Sequence, residues 1–179
     1  MASRKVILET SRLLLCRLRP GDMPLLSRIV QDDSVMYAYE GALSDPMMHE
    51  WMDRQIRHYD EWGFGQWGMW LKDSNEMIGL CGITMQEYEN SVVPEIGYLL
   101  AHKWWHQGYA FEAARACREY GFKLLGFTSM YSIIREGNTS SERLAERNGM
   151  KPVGTKIIHY RGVDMNHTVF RVDCDFELK

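Results

Sequence analysis

Residues 105–111 read Trp-His-Gln-Gly-Tyr-Ala-Phe, and this short run is where the hydrophobic period of the chain changes. Before it, Ile96, Tyr98 and Leu100 alternate as one buried face of a strand requires. After it, Ala113, Ala114, Cys117, Tyr120, Gly121 and Leu124 recur at three- and four-residue spacing, the face of a helix. A helix start leaves four backbone N–H groups without intrahelical partners, and no Ser, Thr, Asp or Asn stands just before Phe111 to cap them. Those donors and the positive end of the helix dipole suit an anion such as a phosphate, and Gly108 lets the backbone approach it closely. An ordinary strand-to-helix connection gives the same pattern, so both readings stand at this point. Other chemistries lack their residues. There is no Ser-His-Asp set at a recognisable spacing, no HExxH, no Walker loop and no GxGxxG. The six histidines show no ligand spacing, and no metal site is expected.

The elements that must position the turn read as follows. Strands are expected over 6–9 and 13–18, a helix over 23–30 capped by Asp22, and a loop over 37–41. A helix over 46–62 starts at Ser44 or Asp45 with Pro46 in its first turn. Residues 66–72 and 77–86 form a hairpin across Asp73-Ser74-Asn75. A strand over 92–101 leads to a helix over 110–125, then a short buried strand over 130–134. A helix over 140–147 follows, with Thr139 and Glu142 as a capping box, and strands over 153–160 and 165–173 close the chain. The fold class is mixed α/β, with one central sheet in a single domain over residues 1–179, and the step 92–134 is a right-handed parallel crossover.

Composition narrows the function classes. A chain of 179 residues with 45% hydrophobic and 25% charged residues is one ordinary globular domain. A net charge of −3 argues against a nucleic-acid binder working by bulk electrostatics. Cys16, Cys81, Cys117 and Cys174 are far apart among apolar neighbours, so buried free thiols and a reducing cytoplasm are expected. No apolar run approaches the roughly 20 residues of a membrane span, and the charged opening residues do not resemble a leader.

Four segments then resemble one family. Residues 105–110, opening the helix, look like the Q/R-x-x-G-x-G/A signature of the GNAT acetyltransferase superfamily. Leu8-Glu9-Thr10-Ser11-Arg12-Leu13 resembles the LETxRLxLR opening of its ribosomal-protein N-terminal (Rim-type) branch, and Glu95-Ile96-Gly97-Tyr98 resembles that branch's EIGY strand. Asn138-Thr139-Ser140-Ser141 followed by Gly149-Met150 is similar to its NxxSxxxxEKxGF segment. The chain departs from the signature in carrying Trp105 for Gln or Arg, His106 for Gly and Phe111 for Ser or Thr.

The resemblance implies a mostly antiparallel sheet of about seven strands with one splayed parallel pair, flanked by four helices. It implies acetyl coenzyme A as co-substrate, with no metal. It places the pyrophosphate on the amides of His106, Gln107, Gly108, Tyr109 and Ala110, and the pantetheine arm along Tyr98, Leu99 and Leu100. Asn138 is expected to bond the arm. Glu95 is the implied base, through a water, and Ser141 the proton donor to the leaving thiolate. Ordinary strand, turn and first-turn roles for Glu95, Asn138 and Ser141 remain alternatives. The amine acceptor is expected between the loop over 37–42, the central hairpin and the hairpin over 158–165, lined by Tyr37, Tyr39, Glu40, Trp67, Trp70 and Tyr160. That acceptor is a protein N-terminal α-amine or a small-molecule amine. The expected partners include no nucleic acid and no membrane, and the expected state is a monomer or homodimer. The competing function is a non-catalytic acyl coenzyme A-binding module acting as a sensor or interaction partner.

Overall fold

The computed structural model describes residues 4–175; the expectations touching residues 1–3 and 176–179 fall outside them. Eight strands form one sheet: β1 (Val6–Glu9), β2 (Leu13–Arg17), β3 (Gln66–Leu71), β4 (Met77–Tyr88), β5 (Ser91–Leu100), β6 (Ser129–Arg135), β7 (Lys151–Tyr160) and β8 (Val163–Asp173). Their order across the sheet is β1-β2-β3-β4-β5-β6-β8-β7. The helices are α1 (Met23–Val30), α2 (Asp33–Met36), α3 (Asp45–Glu61), α4 (Tyr109–Lys123) and α5 (Thr139–Arg147). The mixed α/β architecture is the expected one: the eight strands read along the chain are present, one more than the resemblance implies, and there is a fifth helix.

The additional helix, α2, lies between the helix expected over 23–30 and the loop expected over 37–41, in residues given no element of their own. Asp32 Oδ1 accepts from the Ser34 amide at 2.9 Å and so caps a single turn. One turn is too short to produce a helical period in the sequence. Two other caps differ from expectation. Asn138 rather than Thr139 caps α5, its Oδ1 accepting from Ser141 N at 3.3 Å. Asp22 does not cap α1. Its carboxylate accepts from Arg19 N at 3.0 Å and closes the short 3-10 turn ahead of that helix.

The sheet joins antiparallel everywhere except between β5 and β6, which run parallel. That pair has a single register match, Glu95 opposite Tyr131. Beyond it side chains replace the ladder: Ser132 Oγ donates to Ile96 O at 2.8 Å, and Ile133 N donates to Glu95 Oε1 at 3.1 Å. The strands therefore part, and the end of β5 keeps backbone groups that β6 does not pair.

The core continues across both faces of the sheet, with Leu13, Leu15, Met69, Ile78, Ile83 and Ile96 at most 1% exposed. Trp67 is 0% exposed and meets Tyr120 of α4 edge-on at 5.6 Å, and Trp70 is 2% exposed. Glycine sets the spacing of β3 and β4. A Cβ on Gly82 would stand 2.0 Å from Gly65 O and 2.7 Å from Gln66 Cα, both backbone atoms. Gly82→Ala is expected to cost about 2 kcal/mol or more, since the strands must move apart. A melting experiment should show a fall of roughly 4–8 °C for a chain of this size.

Candidate active site

A cavity of about 290 Å³ occupies the opening between β5 and β6. One wall is residues 95–100, continued by Trp104, Trp105 and His106 and by the start of α4. The facing wall is residues 132–135 with Asn138, Ser140, Ser141, Arg143, Leu144 and Arg147. Val35, Tyr37, Ala38 and Tyr39 close one end, with His167 of β8.

At the α4 end the backbone is shaped for an anion. Gly108 is the N-cap residue, at φ +83°, and no side chain caps the helix. His106, two residues earlier, is also left-handed at φ +59°. Amides in such a turn converge, and the first turn of a 15-residue helix adds its own unpartnered donors. His106, Gly108, Tyr109 and Ala110 all line the cavity. Gln107 is absent from the lining: its carbonyl accepts from Arg12 Nη1 at 3.1 Å, and its side chain donates to Lys103 O at 3.0 Å.

Along the wall, Tyr98, Leu99 and Leu100 line the cavity beside the unpaired edge of β5. The Tyr98 hydroxyl crosses to α5 and donates to Ser141 O at 2.9 Å. Burial raises its pKa, so it stays a phenol. Asn138 Oδ1 serves the α5 cap and also accepts from the Tyr37 hydroxyl at 2.8 Å. With the oxygen occupied, the amide nitrogen of Asn138 is its remaining donor group.

At the far end stands Glu95. Oε1 accepts from the Ile133 amide, and Oε2 from Thr84 Oγ at 3.4 Å. Burial pushes its pKa up to about 7, opposed by those hydrogen bonds and by the charge of Lys156. A carboxyl so placed is divided between its two protonation states at neutral pH, as a group that takes and returns a proton must be. Tyr39 lies near it. Although the residue is 46% exposed, desolvation of its phenol, with the charges of Glu95 and Tyr160, raises its pKa to about 12. Tyr39 is thus a hydrogen-bond donor at any physiological pH.

The remaining acceptor candidates divide. Tyr37 and Tyr39 line the cavity. Glu40 instead pairs with Arg135 at 2.5 Å, and Tyr160 is felt there only through its electrostatic effect on Tyr39. Trp67 and Trp70 are corrected to core residues, because the hairpin that carries them is covered on both faces. Sequence reasoning missed His167, 8% exposed, whose Nδ1 lies 2.9 Å from Met165 O, and also the lining cations Arg135, Arg143 and Arg147. The inward alternation of Met165, His167 and Val169 was a readable signal for the first.

The acetyltransferase (GNAT) domain family matches residues 12–151 of the sequence. The chain belongs to that family. Among curated relatives, the uncharacterized protein YkkB of Bacillus subtilis is 38% identical over 147 residues, covering 82% of this chain and 86% of its own. Among solved structures, an acetyltransferase from Agrobacterium tumefaciens superposes with TM-score 0.77 at 25% identity, over 97% of each chain. An acetyltransferase of Salmonella typhimurium, described as modifying the N-terminal serine of a ribosomal subunit protein, superposes with TM-score 0.79 at 15% identity, over 96% of this chain and 100% of its own. The present GNAT protein is thus an N-acetyltransferase that draws its acetyl group from acetyl coenzyme A. Among the described residues no cluster of side chains could hold a metal ion, and no helix is long and apolar enough to cross a membrane.

The residues present fit the coenzyme. Convergent amides at the start of α4 suit a diphosphate, and the open edge of β5 suits the amide-bearing arm. The bound thioester supplies the acetyl group. With the coenzyme bound, the chain's own part would be to orient that carbonyl and exclude water.

Proposed function

We propose that this acetyltransferase acts on α-amines, with the turn at residues 106–110 holding the pyrophosphate, 98–100 pairing with the pantetheine arm and Asn138 bonding it. Glu95 accepts the proton of the amine directly or through one water, and Ser141 supplies a proton to the departing thiolate. The acceptor enters past Tyr37 and Tyr39. The observation that carries this reading is the placement of Glu95, with a pKa of about 7, in the seam where β5 and β6 part.

A base of that strength matches one acceptor class better than the others. An α-amine of pKa about 8 is appreciably neutral at pH 7, whereas a lysine near 10.4 is almost wholly charged. The structural likeness to an N-terminal-serine acetyltransferase supports the same class. Glu40, the other carboxylate near the acceptor end, is neutralised by Arg135, which gives a polyamine no second anchor. Cys16, Cys81 and Cys117 are buried free thiols, which supports a cytoplasmic location.

Thiol release from acetyl coenzyme A, measured with three sets of acceptors, tests the proposal. Hexapeptides with free α-amines are expected to exceed N-blocked lysine peptides and polyamines by at least about tenfold in kcat/KM near neutral pH. A preference for lysine peptides or polyamines would overturn the α-amine assignment. Tight coenzyme binding without turnover on all three sets would favour the non-catalytic module.

A further inference from the structure

The run Thr10-Ser11-Arg12 lies outside the cavity, yet three of its groups converge on the turn that opens α4. Arg12 N and Arg12 Nε donate to the two oxygens of Glu112 at 2.8 and 2.7 Å, and Thr10 Oγ donates to Glu112 Oε1 at 2.6 Å. The same guanidinium donates from Nη1 to the Gln107 carbonyl at 3.1 Å and stacks over the Tyr109 ring at 4.1 Å. A Cβ on Gly108 would meet Arg12 Nη2 at 3.5 Å. Burial pulls the Glu112 carboxyl upward, but the bonds from Thr10 and Arg12 outweigh it and hold the carboxyl below its ordinary range. The group therefore stays a carboxylate.

The direction of one bond decides what this network does. Across a trans peptide, C=O and N–H point in opposite directions. Arg12 holds the Gln107 carbonyl on the outer side of the turn, so the Gly108 amide proton faces away from Arg12, toward the cavity that Gly108 lines. Glu112 in turn holds Arg12 at its backbone amide and at Nε, so the guanidinium is fixed between Glu112 on Nε and the Gln107 carbonyl on Nη1. The charges serve the same end. Glu112 sits in the first turn of α4, where a bare carboxylate would repel a bound anion, and Arg12 offsets it.

We propose that Arg12 is a positioning residue for the coenzyme pyrophosphate, acting through the Gln107 carbonyl to aim the Gly108 amide into the cavity, with Thr10 and Glu112 holding Arg12 in place. This rests on the coenzyme site proposed above. Arg12 makes no contact with the coenzyme; it fixes the peptide plane that does. A lysine at this position keeps the charge but lacks the fork needed to hold the carboxylate and the carbonyl together.

Calorimetric titration with coenzyme A, on the unmodified chain and on Arg12→Ala, Arg12→Lys, Glu112→Gln and Arg12→Ala/Glu112→Gln, tests the proposal. Arg12→Ala is expected to raise Kd at least tenfold, Arg12→Lys to recover only part of the loss, and the double variant to stay as weak as Arg12→Ala. Phosphorus NMR of the complexes at saturation gives a signature that general destabilisation would not move. The pyrophosphate resonances of the Arg12→Ala or Arg12→Lys complex should shift from their positions in the unmodified complex, while the 3′-phosphate resonance stays in place. A Kd within twofold of the unmodified chain in both Arg12 variants, or unchanged pyrophosphate resonances, overturns the proposal. Full recovery in the double variant also overturns it, because Arg12 would then only neutralise Glu112. Absence of coenzyme binding by the unmodified chain sinks the coenzyme site itself, and the proposal with it.

Discussion

Glu95→Gln is expected to lower turnover about a hundredfold, the low end of what a positioned base contributes, while coenzyme affinity stays within twofold. The pH profile carries the sign. A base must be unprotonated to act, so the rate of the unmodified enzyme rises with pH through the Glu95 pKa of about 7. The amide has no such limb. What remains is the ionisation of the amine, near ~8 for an α-amine, so the variant's profile keeps that limb alone and loses the one centred at about 7. Stability moves the other way. The folded chain holds Glu95 at about 7, above the roughly 4.3 of an exposed glutamate. The group's favourable contribution is complete below the unfolded pKa and is lost as pH rises through 7. Gln stays neutral throughout, and its Oε1 can still accept from Ile133 N. The variant should therefore melt above the unmodified enzyme at pH 8 and lose that advantage by pH 4. Melting curves at the two pH values, beside the pH–rate profile, check both halves. A variant that keeps full activity would move the base elsewhere, and one that loses activity and stability together at pH 8 would return Glu95 to a structural role.

Gly108→Trp is expected to weaken coenzyme A binding at least a hundredfold, the larger of two graded effects. Position 108 has φ +83°, which a side-chain-bearing residue adopts at a cost of about 1 kcal/mol or more. The indole must also share space with Arg12 Nη2, 3.5 Å from where its Cβ begins, or turn into the cavity. Gly108→Ala meets only the backbone cost and the edge of Arg12, so roughly a tenfold loss is expected from it. Titration of both variants with coenzyme A gives the order, and equal affinity for the unmodified chain and the Trp variant would remove the pyrophosphate from this turn.

What the sequence made legible follows from the range of each interaction. The strand-to-helix switch at residues 105–111 was readable because period and glycine placement are local properties, and the structure puts α4 within two residues of expectation. The mixed α/β sheet with its parallel crossover was likewise readable from the element order. Helix α2 was not, since a single turn is made by one Asx contact from Asp32. Trp67 and Trp70 looked like pocket residues only by type. Both faces of β3 are covered, and part of that cover is Tyr120 of α4, far away in sequence. Arg12 is the sharper case. It was visible as part of a familiar-looking run, but its bonds reach across 95 and 100 residues, and no local pattern reports such a distance. The cavity walls were legible only through the family resemblance, which named Glu95, residues 98–100, most of the turn at 106–110, Asn138 and Ser141; the lining cations Arg135, Arg143 and Arg147 lay beyond reading.

The seam between β5 and β6 gives the enzyme a coupling that its chemistry alone would not. In its proposed role, Glu95 is both the proton acceptor and a fastener between two half-sheets, because Oε1 takes the Ile133 amide where the ladder stops. A hydrogen bond to a carboxylate is roughly twice as strong as one to a neutral acceptor. Each proton that arrives on Glu95 therefore slackens the joint, and each proton released draws it tight.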